Sequence, residues 1–543
     1  MIASEDGTAP VSYSASAVPN ERFHVMPRPM PPEMIAEIIS AYGDAARRME
    51  EAGLDGVEVV ASHGYLPAQF LNPEVNQRDD DYGGSLENRT RFLRDIAADI
   101  RAKTSAGFVV GMRLSGDERS HEGLEQSDTL DAWAHIAEHA TLDYLSVVAG
   151  SSATLAGSVH IAPPMYEEAG YTAPLGQAIK ARTGLTTIVT GRINQPQEAE
   201  RILAAGQADM CGMTRAMICD PEIGNKAGDG RLDDIRACIG CNQACIGHFH
   251  AGYPISCIQN PVSGRELSLG APQPAKSSRR IMVIGGGPGG LKAAAAAAER
   301  GHAVTLFERD TQLGGQARLA QLLPHRAEFG GIITNLTREC DLAGVDLRKG
   351  VAVDEATIAA HAPDAVIIAT GATPRWPHFE GDDLDHVVDA WQVLQGKAQV
   401  GSSVVVADWR ADWVGMGLAE HLAQEGHRVR LAVNGYMPGQ TIQMYVRDAG
   451  IGRLHGLGVE VLPYMRLFGV DEDSVYLQHI MNQEPVICDE VDTLVLCQGH
   501  RPNTDVEQTV RRMGLPHELV GDCIAPRTAE EAVLEGLRAG RAV

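Results

Sequence analysis

The sequence predicts an α/β protein in which a partial (β/α) barrel of the TIM type is followed by a cysteine loop and two Rossmann-like domains. Three observations predict it. Apolar strands alternate with amphipathic stretches from Pro31 to Gly230, four cysteines crowd between Cys238 and Cys257, and a glycine turn opens at Gly285 inside a strand–turn–helix–strand pattern.

The helical pattern Met34 to Glu51 leads into LDGVEVVA at 54–61, and Arg89 to Thr104 leads into FVVGMRLS at 108–115. The unit recurs with the strands YLSVVAG at 144–150, TTIVTGRI at 186–193 and ADMCGMTRA at 208–216. Near-continuous apolar strands between amphipathic helices indicate a parallel sheet covered on its faces, and their repetition indicates a (β/α) barrel. Only five strands are counted, fewer than a closed barrel needs.

The next stretch, CIGCNQACIGHFHAGYPISC, spaces Cys238, Cys241, Cys245 and Cys257 as CxxC, x3 and x11. Three thiolates on one tight loop with a fourth farther on suit a [4Fe-4S] cluster, whose irons each need a soft sulfur ligand. A structural zinc site, with His248 or His250 as a substitute ligand, is the alternative. The remaining cysteines, Cys211, Cys219, Cys340, Cys488, Cys497 and Cys523, are scattered as ordinary buried thiols would be.

Beyond the polar linker APQPAKSSRR at 271–280, RIMVIGGGPGGLKAAAAAAERGHAVTLFER sets Gly285, Gly287 and Gly290 in GxGxxG register, with Glu308 closing the second strand. The glycines allow a tight turn, close approach of a pyrophosphate and close helix packing, and the acidic residue suits a ribose hydroxyl. FAD or ADP is expected there, with Gln316 in LGGQ and Asp522 in GDCIAP as further contacts. A second such unit spans 401–433, but its turn is Asp408, Trp409, Arg410, Ala411, Asp412, Trp413. Large side chains and two carboxylates there would keep a pyrophosphate away. The expected domains are 1–237 (barrel), 238–275 (cluster loop), 276–397 with 490–543 (FAD or ADP), and 398–489 (a degenerate NAD(P)-type insert).

A formal net charge of -25 argues against nucleic acid, which needs concentrated positive charge. No apolar run approaches the length of a membrane span, and MIASEDGTAPVSYS has no secretory pattern. Clustered reduced thiols then make the cytoplasm the expected compartment.

Together, NPEVNQRDDDYGGSLENRTRF at 72–92, GMRLS at 111–115, TGRI at 190–193, GMTRAMICDP at 212–221 and the cysteine loop resemble the Old Yellow Enzyme-like iron-sulfur flavoenzymes, the family of trimethylamine dehydrogenase and 2,4-dienoyl-CoA reductase. The resemblance implies FMN at the barrel mouth, with Arg113 at the flavin and Gly191, Arg192, Gly212 and Arg215 at its phosphate. It also implies His63 and Tyr65 as catalytic residues, with His160 a weaker candidate for the same pocket. A homo-oligomer is expected.

The glycine-free turn at 408–413 resembles the amine dehydrogenase branch, in which an electron-transferring flavoprotein takes the electrons. The cysteine spacing, Tyr65 and LGGQ resemble the reductase branch. The leading expectation is oxidative N-demethylation of a small N-methylated amine or amino acid. NAD(P)H-dependent reduction of a 2-enoate or 2,4-dienoyl thioester is the alternative, and an electron-transfer subunit without its own FMN is a third. In the family about three strand–helix units precede the segment matching Ala9 to Arg28, so an extended start or another chain supplying strands is expected.

Overall fold

The computed structural model describes residue 8 and residues 10–543 and divides into two compact bodies, residues 1–214 and 215–543. The reading of the first residues as lacking a leader falls largely on residues outside the described ones.

In the first body the strands β1 (Gly56–Ala61), β2 (Val109–Ser115), β3 (Tyr144–Val148), β4 (Thr186–Val189) and β5 (Met210–Cys211) lie side by side in chain order, all parallel. The expected last strand is shorter than its apolar run, because Thr214–Cys219 turns into a helix. The helix Leu86–Lys103 starts where Ser85 accepts the Asn88 N–H, and it buries Phe92, Leu93, Ile96 and Ile100. These pack with Trp133, Met112, Leu114, Leu145 and Val147 into one core. Strand alternation therefore sends Val59, Met112 and Leu145 toward the core, and their neighbours Val60, Arg113 and Ser146 to the opposite face. On that face Val60 is 40% exposed.

The second body holds two parallel sheets. The first orders Asp346–Lys349, Ala303–Glu308, Arg280–Ile284, Ala365–Ile368 and His517–Leu519. The alanine run of the helix Pro288–Glu299 lets the terminal helix Ala529–Ala542 approach closely: a Cβ on Gly536 would stand 2.3 Å from the Gly289 carbonyl, and one on Gly540 2.4 Å from that of Ala293.

The second sheet orders Val387–Asp389, Thr493–Cys497, Ser403–Asp408, Arg428–Val433 and Glu460–Pro463. Here the structure differs from the expected insert at 398–489. The strand Thr493–Cys497, assigned with 490–543 to the first sheet, pairs with both Ser403–Asp408 and Val387–Asp389. A strand buried along its whole length carries no face pattern that selects one parallel sheet over another. Among the described residues no helix is long and apolar enough to cross a membrane.

Candidate active site and thiol pocket

At the C-terminal ends of the first body's strands, His63 sits in the left-handed region (φ 57). Its N–H donates to Ser115 Oγ at 2.9 Å, that hydroxyl donates to the Gly150 carbonyl at 2.7 Å, and the His63 carbonyl accepts the Ser152 N–H at 2.7 Å. This network over-determines a backbone conformation that is otherwise costly for a non-glycine residue. Burial, and then the Arg113 charge, lower the His63 imidazole to about 4, while the Gly150 and Ala149 carbonyls oppose them. The ring is therefore neutral at pH 7. Tyr65 meets it edge-on, centroids 6.0 Å apart, and is 44% exposed. The structure thus brings His63, Tyr65 and Arg113 into one neighbourhood.

Arg113 pairs with Glu58 across β1 and β2, Nε to Oε1 2.7 Å, and Glu58 hydrogen-bonds the Tyr144 phenol. Gly111 permits this, since a Cβ there would stand 2.1 Å from the Tyr144 ring. Sequence reasoning missed Glu58 and Tyr144. Their lateral alignment with Gly111 depends on strand register, which no local pattern announces.

His160 lies with Glu167, Nδ1 to Oε1 3.7 Å, and burial followed by the Arg119 charge lowers it to about 4. Arg192 is buried at φ 56 and donates to the Met165 carbonyl at 2.9 Å. Side chains at Gly191 and Gly212 would strike Thr172 Oγ1 at 2.3 Å and Thr190 Oγ1 at 2.1 Å respectively, so close packing alone also demands glycine at both.

In the second body Cys238, Cys241, Cys245 and Cys257 line one small cavity with Ile218, Ile239 and Ala244. Among the described residues no three His, Cys, Asp or Glu side chains converge closely enough for a single metal ion. Four thiols around a shared space supply the soft sulfur donors that a [4Fe-4S] cluster or a structural zinc ion would take. Burial raises the thiols of Cys238, to about 11, and of Cys241, so a positively charged group must be at hand for them to ionise.

Arg215 also lines this cavity, donating to Asn242 Oδ1 at 2.7 Å and acting electrostatically on Cys238 and Cys245. Cys219 is no ordinary buried thiol: it hydrogen-bonds Cys257, and Gln259 Nε2 donates to it at 3.4 Å. Arg236 acts on Cys219 and Cys257 and is tied to Glu339 at 2.8 Å, which also binds Lys292 at 2.7 Å.

The glycine turn has the geometry of a nucleotide cradle. Gly285 takes φ 110, a Cβ on Gly290 would stand 1.9 Å from the Gly285 carbonyl, and Gly287 faces open space. Glu308 accepts the Gly286 N–H at 2.7 Å, and Gln316 donates to Asp522 at 2.9 Å. At the second turn Asp408 is buried and accepts the Ala411 N–H at 2.9 Å, while Asp412 caps Val414 and pairs with Arg410 at 2.9 Å. The Trp409 ring lies 3.3 Å from a Cβ built on Gly499 and carries the Arg375 guanidinium at 5.8 Å. This turn is thus built from side chains where the first has glycines.

A parallel β/α sheet with a basic residue at its open face, joined in sequence to a dinucleotide fold, is an arrangement suited to an oxidoreductase. Residues 3–234 match the NADH:flavin oxidoreductase / NADH oxidase family, and residues 279–532 the pyridine nucleotide-disulphide oxidoreductases. An N,N-dimethylglycine/sarcosine dehydrogenase of Chromohalobacter salexigens is 33% identical over 93% of this chain and 79% of its own length. An NADH oxidase of Thermoanaerobacter brockii is 37% identical over 78% of this chain and 65% of its own. The solved complex of 2-naphthoyl-CoA reductase with 2-naphthoyl-CoA superposes with a TM-score of 0.91 at 28% identity, covering 99% of this chain and 81% of that one. The chain belongs to the flavoenzyme family of trimethylamine dehydrogenase and 2,4-dienoyl-CoA reductase, and it is an FMN-dependent oxidoreductase.

Proposed function

We propose that this oxidoreductase dehydrogenates a small N-methylated amine or amino acid and passes the electrons to an electron-transferring flavoprotein. The observation that carries the reading is the second nucleotide turn, where Trp409, Arg410 and two carboxylates stand in place of glycines. The similarity to a dimethylglycine/sarcosine dehydrogenase supports the substrate class. FMN, if bound near Arg113, would supply the acceptor for a hydride from the C–H beside nitrogen, and Cys238, Cys241, Cys245 and Cys257 would hold a [4Fe-4S] cluster able to carry single electrons onward. The product imine adds water and releases the methyl carbon as an aldehyde.

The chain's own residues supply the surroundings. His63, neutral at pH 7, accepts a hydrogen bond from the substrate nitrogen without repelling a cationic amine. Tyr65, half-exposed beside it, orients the substrate, and Arg113 would place a guanidinium beside FMN, where it would favour negative charge on the bound group. In the glycine cradle, Gly285, Gly287 and Gly290 admit the pyrophosphate of FAD or ADP, and Glu308 takes the ribose.

Anaerobic mixing of the flavin-loaded enzyme with sarcosine or dimethylglycine, and separately with NADH and NADPH, tests this reading. Bleaching of the flavin by the amines and its persistence with both nicotinamides are expected; rapid bleaching by either nicotinamide overturns it. The second reading, an NAD(P)H-dependent C=C reductase, draws on the accessible Tyr65 phenol as a proton donor and on the NADH oxidase relative. It requires NADPH-driven turnover of an enoyl thioester.

A further inference from the structure

Arg326 presents an electrostatic puzzle. Its guanidinium lies against two rings, 4.8 Å from the Phe329 centroid and 5.4 Å from that of Trp413, with Nε buried and without a hydrogen-bond partner. No carboxylate lies within ion-pair distance of it among the described residues, because the nearby Asp412 is engaged by Arg410 at 2.9 Å. A cation withdrawn from water without a partner is costly, and aromatic faces repay only part of that cost.

The other group within its electrostatic reach is Cys241, at the thiol pocket. The segment bearing Arg326 is pressed against that pocket, since a Cβ on Gly331 would stand 2.9 Å from Ile239 Cγ2. The two other guanidiniums at the pocket have companions: Arg236 shares its charge with Glu339, and Arg215 donates to Asn242. Arg326 brings a full positive charge that no carboxylate bonds.

We propose that Arg326 is the counter-charge of the cluster on Cys238, Cys241, Cys245 and Cys257, and that it raises the cluster's reduction potential. The inference rests on reading those cysteines as cluster ligands. A cubane with four thiolates carries a net charge of about −2 when oxidised and about −3 after taking up one electron. A fixed cation therefore favours the reduced form. Arg326 is a positioning residue here: it touches no substrate and acts on the electron's resting place. Its effect is to make the cluster a better acceptor of electrons released by substrate.

The test is a redox titration of the holoenzyme followed by the EPR signal of the reduced cluster, alongside iron and sulfide content. Arg326→Gln and Arg326→Met both remove the charge, the second keeping an apolar filling against the Phe329 and Trp413 rings, while Arg326→Lys keeps the charge. At a given potential the reduced-to-oxidised ratio is expected to fall about tenfold in the Gln and Met variants, a midpoint lower by about 59 mV for a one-electron couple. The Lys variant should stay near wild type. A loaded cluster with an unchanged midpoint in either neutral variant overturns the proposal. Wild-type protein without iron, sulfide or an EPR signal overturns the cluster reading itself, and the inference with it.

Discussion

The Glu58 carboxylate stands between the Arg113 guanidinium, 2.7 Å away, and the Tyr144 phenol, so one acid joins three neighbouring strands. Burial first, and then the Glu58 charge and hydrogen bond, push Tyr144 up to about 12, with Arg113 opposing. Glu58→Gln removes the negative charge and keeps the shape. Tyr144 is then expected to ionise about one pH unit earlier, read as a shift of one phenol in a 295 nm absorbance titration. The shift should vanish in a Tyr144→Phe background. The ion pair itself is partly exposed, so its loss should cost only about 1 kcal/mol of stability.

His63 and His160 both bind protons near pH 4 in the folded protein, against an ordinary value of 6.5. Between those limits the unfolded chain binds more protons than the folded one, so stability falls as pH drops from 6.5 toward 4. For His63 the full effect is at most about 3 kcal/mol. His63→Asn abolishes that titration, and asparagine tolerates the positive φ at this position better than most residues. The melting temperature of the variant should therefore depend less steeply on pH across this window, retaining the part due to His160. An unchanged slope would place the His63 ring in water.

Much of this architecture is legible in the sequence because its signals are local. The apolar strands of the first body, the GxGxxG turn and the cysteine spacing each lie within a few residues of themselves. What is not legible depends on register or on contacts between distant segments. Tyr144 reaches Glu58 only because Gly111 lies between them in the pleat. Thr493–Cys497, buried on both faces, gives no sign of which sheet it enters. Cys219 and Arg326 come to the thiol pocket from segments on either side of its cysteines, and nothing in the cysteine spacing points to either.

Two glycines of the nucleotide turn should separate folding from binding. Gly287 has φ -77 and open space around its missing Cβ, so Gly287→Ala should leave stability within about 0.5 kcal/mol. The added methyl would stand where a pyrophosphate must approach, so the purified protein should carry much less adenine nucleotide. At Gly290 the Cβ would fall 1.9 Å from the Gly285 carbonyl, so Gly290→Ala should cost about 2 kcal/mol or more before any ligand is considered. Melting temperatures and nucleotide content of the two variants, measured together, check both expectations. Equal destabilisation by the two would contradict the assignment of separate roles.

Asp408 closes the second turn from inside the protein. Its Oδ1 accepts the Ala411 N–H at 2.9 Å, its Oδ2 is buried without a partner, and its carboxyl lies where a Cβ on Gly415 would be, 2.3 Å away. Burial, and then the Asp412 charge, hold its proton far above the usual carboxylate range. A raised carboxyl binds a proton in the folded state that the unfolded chain has already released. Its contribution therefore erodes stability as pH rises from about 4 toward the folded value. Asp408→Asn keeps the acceptor for Ala411 and removes the titration. The variant should be more stable than wild type by about 1–3 kcal/mol at pH 8, with a smaller difference near pH 5. Trp409 and Arg410 still fill the turn, so the same variant should gain no affinity for NADH. Thermal melts across pH 5 to about 8, with NADH titrated at the neutral point, check both halves. Equal stability of the two proteins at pH 8 would mean that the Asp408 carboxylate is ionised at little cost.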